Sequence, residues 1–137
     1  MDTRELHILL VDDDDVDVMN VQRAFEKSRI TNPVHVANNG IEALELLRNG
    51  TVGPRRLVLL DLNMPRMNGI EFLREVRADG QLLNTSVVVL TTSNEERDKV
   101  EAYKLNVAGY LLKPVTFASF VDVMAALNKY WTLVEMP

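Results

Sequence analysis

Four apolar runs in this chain end abruptly in polar residues that can do chemistry. Leu6 to Val11 runs into Asp12 and Asp13, and Leu57 to Leu60 into Asp61. Ser86 to Leu90 runs into Thr91 and Thr92, and Gly109 to Leu112 into Lys113 and Pro114. Any one such residue is an ordinary place for a strand to leave the core; the combination of types is not. Carboxylates about 4 Å apart repel by roughly 4 kcal/mol at an effective dielectric of 20. Three in one cleft must protonate, separate or hold a cation. A hard divalent ion suits oxygen ligands, and magnesium keeps several waters while binding one or two carboxylates and a phosphate. The Lys113 ammonium is a compact charge suited to a phosphoryl oxygen. The Thr91 hydroxyl can donate to the same group. Phosphoryl chemistry beside magnesium is the chemistry this set can do.

These residues meet only if the runs that precede them are neighbouring strands pointing the same way. The chain alternates apolar runs with helical patterns throughout. After the first run, Val18, Val21 and Phe25 recur at helical spacing, with Asp14 or Asp15 placed to cap the helix. Val34 to Ala37 is a weak strand, and a helix with Ile41, Leu44 and Leu47 on one face stops at Asn49-Gly50. Asn68-Gly69 opens a helix carrying Ile70, Phe72, Leu73 and Val76; Asn94 caps one from about Glu95 to Leu105; Thr116 begins one reaching about Trp131. The strands read as continuous hydrophobic runs rather than alternating ones, so both faces are covered. The predicted fold is therefore α/β, a (βα)5 doubly wound, five-stranded parallel sheet. Ligands of such sheets bind outside the carboxyl ends of the strands, where Asp12, Asp13, Asp61, Thr91 and Lys113 fall.

Composition removes several function classes. The 137 residues suit one domain, expected over residues 5–131 with a short tail at 132–137 and no output domain. A net charge of -5 opposes nucleic-acid binding, which needs a basic stripe. Without cysteine there is no disulfide, thiolate chemistry or cysteine-ligated zinc. The N-terminus has no signal-peptide pattern, and no run approaches the roughly 18 apolar residues of a membrane span. A cytoplasmic location with no membrane partner is the expectation.

Leu9-Leu10-Val11-Asp12-Asp13, Leu59-Leu60-Asp61-Leu62-Asn63-Met64-Pro65 with Gly69, Val89-Leu90-Thr91-Thr92 and Tyr110-Leu111-Leu112-Lys113-Pro114 resemble the receiver domain of two-component response regulators, a flavodoxin-like fold. The resemblance covers nearly the whole chain. It implies that Asp61 is the phosphoacceptor and that Asp12, Asp13, Asp61 and the backbone carbonyl of Asn63 hold Mg2+. Thr91 and Lys113 would contact the phosphoryl group, and Thr91 with Tyr110 would form the switch. It also implies a sensor histidine kinase or a phosphotransfer protein as partner, and self-catalysed phosphorylation and dephosphorylation rather than turnover of a substrate. The C-terminal half, from Val87 to Ser93, at Ala102-Tyr103 and from Tyr130 to Pro137, is similar to the single-domain regulators that serve phytochrome-type kinases.

Competing readings are weaker. Asp12 and Asp14 in Leu9-Leu10-Val11-Asp12-Asp13-Asp14 fit the nucleophile and acid/base of a haloacid dehalogenase-type phosphatase. That enzyme, however, has no role for the segment after Asp61, and no acidic pair follows Lys113. An EF-hand starting at Asp13 fails, because Val18 stands where glycine is needed and Ala24 where glutamate is. His7 and His35 lie in strands with no companion histidine or carboxylate pattern, so neither is assigned a role. In the last helix Val123, Ala126 and Tyr130 line a second apolar face beside the one expected to meet the sheet. That face is either a generously buried one or a homodimer or partner surface formed by the last two helices and the fifth strand.

Overall fold

The computed structural model describes residues 6–27, 32–64, 66–91 and 95–112. Within them the order is β1 (His7–Val11), α1 (Asp15–Lys27), β2 (Val34–Ala37), α2 (Gly40–Arg48) and β3 (Arg56–Leu60), followed by α3 (Gly69–Ala78), β4 (Ser86–Thr91), α4 (Glu96–Lys104) and β5 (Gly109–Leu112). All strand pairs are parallel, in the order β2-β1-β3-β4-β5. This is the expected five-stranded sheet. The helix expected from Thr116 to Trp131, with Val123, Ala126 and Tyr130, lies outside the described residues, as do Lys113, Pro114, Thr92 and Pro65.

The continuous hydrophobic strands follow from burial on both faces. Leu9, Val11, Val58, Leu60, Val87 and Val89 pack on one side with Ala43, Leu44 and Leu47 of α2, Phe72, Leu73 and Val76 of α3, and Ala102 of α4. Their neighbours in sequence, Ile8, Leu10, Leu57, Leu59, Val88 and Leu90, pack on the other side with Val18, Val21 and Phe25 of α1. Each strand thus supplies two cores, because successive side chains point to opposite faces. Fully burying a side chain of this size contributes about 1.5–3 kcal/mol, so the central strands are the most firmly held part of the molecule.

Helix starts are set by short polar side chains. Asp14 is the α1 cap: its Oδ1 accepts from the backbone N–H of Val16 at 2.8 Å and of Asp17 at 3.3 Å. Asn39 accepts from Glu42 N–H at the start of α2. Asn68 and Glu71 form a reciprocal capping box on α3, which satisfies two backbone donors at once.

Three expectations are corrected. The α4 cap position is Glu95, whose side chain makes no cap hydrogen bond; Asn94, expected there, lies outside the described residues. Ile41 is exposed, because α2 turns Gly40, Ala43, Leu44 and Leu47 toward the sheet. The two histidines do have companions: each is the other's, with His7 Nδ1 3.0 Å from His35 Nε2.

Candidate phosphoacceptor site

The chain goes from β1 outward to β2, then crosses back to place β3 on the other side of β1. The crevice between those two excursions opens at the carboxyl ends of β1 and β3. Register brings the acidic residues there side by side. Val11 pairs with Leu60, and the next residues on each strand are Asp12 and Asp61. The Asp61 N–H donates to Val11 O at 2.9 Å and the Asp12 N–H to Ala37 O at 3.0 Å.

Carboxylate oxygens of Asp12, Asp13 and Asp61 lie within 4.8 Å of one another. Asp12 and Asp61 are buried, at 2% and 6% exposure, while Asp13 is exposed. The site is thus walled on the protein side and open on one edge. Oδ1 of Asp12 accepts from Asp14 N–H at 2.9 Å, and Oδ1 of Asp61 from Asn63 N–H at 3.2 Å. Both bonds stabilise the ionised carboxylate. An all-oxygen donor set with this much negative charge, partly buried, fits a hard divalent cation. The residues present therefore fit the metal that the sequence implies.

The loop after Asp61 is packed so tightly that one position must be glycine. A Cβ added at Gly69 would lie 2.6 Å from the Asp61 carbonyl oxygen and 2.7 Å from Leu62 Cα. The Gly69 N–H donates to Leu62 O at 3.0 Å, so α3 begins directly beneath the residue that follows Asp61. Leu62 and Met64 turn into the core, which leaves Asn63 exposed between them.

Thr91 ends β4 fully buried. The Asn63 side-chain amide donates to its hydroxyl at 3.4 Å, a contact that sequence reasoning missed. Residue type alone carried no signal for it, because Asn63 drew attention only for its backbone carbonyl. Tyr110 stands apart from the acidic cluster. Its half-buried ring packs on the core of the α2–α4 side, 6.5 Å from the Tyr103 ring and with Lys99 Nζ 5.7 Å from its centroid. Thr91 pairs with Leu112, and Val89 with Tyr110, so the β4–β5 ladder links the two. Lys113, next after Leu112, lies outside the described residues.

The profile of the response regulator receiver domain matches residues 8–125. The chain belongs to that family. Receiver domains accept phosphoryl groups from histidine kinases in two-component systems, and this receiver is a phosphoacceptor signalling switch. It is 37% identical over 127 residues to the probable methanogenesis regulatory protein FilR2 of Methanothrix harundinacea, covering 90% of this chain and 82% of that one. Among solved structures it is similar to the bacteriophytochrome response regulator RtBRR. That match has a TM-score of 0.80 and 40% identity, over 96% of this chain and 82% of that one. The Mn2+-bound form of response regulator Rcp1 matches with a TM-score of 0.77 and 34% identity, over 96% and 98%; the curated Rcp1 is from Synechocystis. The dehalogenase-type phosphatase is not supported. Its required acid/base, Asp14, is the α1 cap of this receiver. No helix among the described residues is long and apolar enough to cross a membrane.

Proposed function

We propose that Asp61 is the residue that accepts the phosphoryl group, with Mg2+ held by Asp12, Asp13, Asp61 and the carbonyl of Asn63. The observation that carries this reading is the gathering of three carboxylates within 4.8 Å at the crevice between β1 and β3. Asp61 is the member at the end of the central strand, held by the backbone N–H of Asn63, so one oxygen is oriented while the carboxylate faces Asp12 and Asp13. Magnesium supplies neutralisation of the carboxylates and of the incoming phosphoryl oxygens.

A carboxylate oxygen of Asp61 attacks phosphorus, the bond to the kinase histidine nitrogen breaks, and that nitrogen leaves with the electron pair. The receiver binds and positions; its own carboxylate is the group modified. Its catalysis is thereby limited to its own phosphorylation and dephosphorylation. Phosphorylation adds about -1.5 to -2 charge units and strong acceptor oxygens, which Thr91 and Lys113 would meet. Thr91 would then donate its hydroxyl proton to the phosphoryl group, and the Tyr110 ring would follow along the β4–β5 ladder. The kinase is read as phytochrome-type on the likeness to RtBRR, acting directly or through a phosphotransfer protein in the cytoplasm. A homodimer through the last two helices and β5 fits the position of β5 at the sheet edge and the exposure of Leu112.

Intact-mass spectrometry after incubation with acetyl phosphate and Mg2+ tests the assignment. Wild type gains one phosphoryl group and Asp61→Asn gains none. Equal labelling of the two proteins would overturn it.

A further inference from the structure

His7 and His35 are the two histidines of the chain, and the fold pairs them on the β1–β2 ladder. Leu9 lies opposite His35 in register, so His7 and His35 are diagonal neighbours on the face they share with Leu9. Nδ1 of His7 is 3.0 Å from Nε2 of His35. The ring centroids are 5.2 Å apart and the ring planes parallel to within 4°. The centroid separation exceeds the N···N distance by about two ring radii, so the nitrogens face each other head-on.

Two imidazole nitrogens meet this way only with one proton between them, an N–H on one ring donating to the lone pair of the other. Two bare lone pairs would repel, and two N–H groups would collide. Nor does the alignment suit a shared metal ion. At about 2.0–2.1 Å from each nitrogen, an ion would need the lone pairs to converge at an angle, and here they oppose.

We propose that His7 and His35 form a one-proton clasp that fastens the edge strand β2 to β1 and is opened by acid. One added proton goes to an outward nitrogen and leaves the shared bond intact, now charge-assisted. A second leaves donor facing donor and two like charges in contact. The surroundings do not relieve that. Arg56 of β3, half-buried, stands opposite His7 in register, and the carbonyl of Arg55 accepts from the backbone N–H of His7, not from its ring, at 2.9 Å. The α2 helix on this face of the sheet carries Glu42, Glu45 and Arg48; Glu42 caps back to Asn38 N–H, and Arg48 pairs with Glu75 and Asp79. Among the described residues no carboxylate is hydrogen-bonded to either ring. Gly53 closes the site from the α2–β3 loop, where an added Cβ would lie 3.0 Å from the His7 ring.

Burial first, and then the charge of His7, hold the His35 imidazole below its ordinary value of 6.5. Between that lowered value and 6.5 the unfolded chain binds more protons than the folded one. The clasp's contribution to stability is therefore fully present above about pH 6.5 and is lost as pH falls through the lowered His35 value.

The test is a proton NMR titration of the two rings in the full chain between about pH 4.5 and 8.5, in wild type, His7→Asn and His35→Asn. Wild type should titrate in two steps separated by about one pH unit or more, belonging to the pair. Each variant should titrate in a single step, and in His7→Asn the His35 midpoint should rise, because the charge of His7 no longer opposes its protonation while burial still does. Below the second step, amide exchange in the β1–β2 ladder should quicken relative to the β3–β4 ladder. A wild-type titration of His35 that is unmoved by His7→Asn would overturn the clasp. Should either variant fail to fold, the wild-type titration and the exchange comparison decide the matter alone.

Discussion

The side-chain amide of Asn63 donates to the buried hydroxyl of Thr91 across 3.4 Å, so the loop after Asp61 is tied to the end of β4 before any phosphoryl group arrives. In that bond the Thr91 oxygen accepts, whereas toward a phosphoryl oxygen the same hydroxyl would donate. At 3.4 Å between neutral groups the bond is long and weak, so it offers little resistance to a movement of the hydroxyl.

Thr91→Ala should accept phosphate at Asp61 and lose the response that follows. Losing the bond from Asn63 costs about 0.5–1.5 kcal/mol of stability, visible as a shift in a urea midpoint. Shifting a switch from about 1:99 to 99:1 needs roughly 5.5 kcal/mol, more than this hydroxyl supplies alone, so Lys113 or a partner must contribute. Amide spectra with and without beryllofluoride read the outcome at Tyr110. Wild-type-sized shifts there in Thr91→Ala would show that the signal leaves Asp61 by another path.

Gly69→Ala should damage the site from below. The new Cβ would meet the Asp61 carbonyl oxygen at 2.6 Å and Leu62 Cα at 2.7 Å, both backbone atoms that cannot rotate away. Overpacking of this kind costs about 1–3 kcal/mol, and relief requires Asp61 itself to shift. Both the urea midpoint and the rate of labelling by acetyl phosphate should fall. A variant that loses stability but labels at the wild-type rate would separate packing from site geometry.

Arg77→Met should loosen the seam between α3, α4 and β4. The Arg77 guanidinium donates to the carbonyls of Leu105 at 2.7 Å, Leu83 at 2.8 Å, Thr85 at 2.7 Å and Asn106 at 3.1 Å. It also supports Asn106, whose φ of 60° is in the left-handed region. Charge-assisted bonds contribute about 1.5–3 kcal/mol each; partial rehydration of the exposed carbonyls should bring the measured loss to about 3 kcal/mol. Chemical denaturation checks the magnitude. Labelling of Asp61 should persist, because none of these carbonyls belongs to the acidic cluster.

Asp13→Ala should weaken magnesium binding by about tenfold or more, about 1.4 kcal/mol, while Asp61→Asn should weaken it similarly and abolish labelling. Affinity in wild type should also fall on acidification, since protons compete with the ion for the same oxygens. Isothermal calorimetry reads both effects. Unchanged affinity in Asp13→Ala would remove Asp13 from the metal site.

Strand ends, helix faces and sheet type were legible in the sequence because they rest on local alternation of apolar and polar residues. Leu57 to Leu60 had to be buried on both faces, and Asp61 had to lie where that run stops. The same logic located Asp12, Asp13 and Thr91 without any knowledge of contacts. Tertiary structure decided what depends on register and on which helix covers which strand. Pairing of Val11 with Leu60 turned two strand ends into one acidic cluster. The rotation of α2 exposed Ile41 although its spacing suited the buried face. The choice between Asp14 and Asp15 as cap fell to Asp14 once the first turn of α1 was placed. Asn63 to Thr91, Arg77 to the carbonyls of Leu105 and Asn106, and His7 to His35 join residues 28 or 29 positions apart in the chain. Periodicity cannot register such partners, because it records which way a side chain points and not what it will meet there.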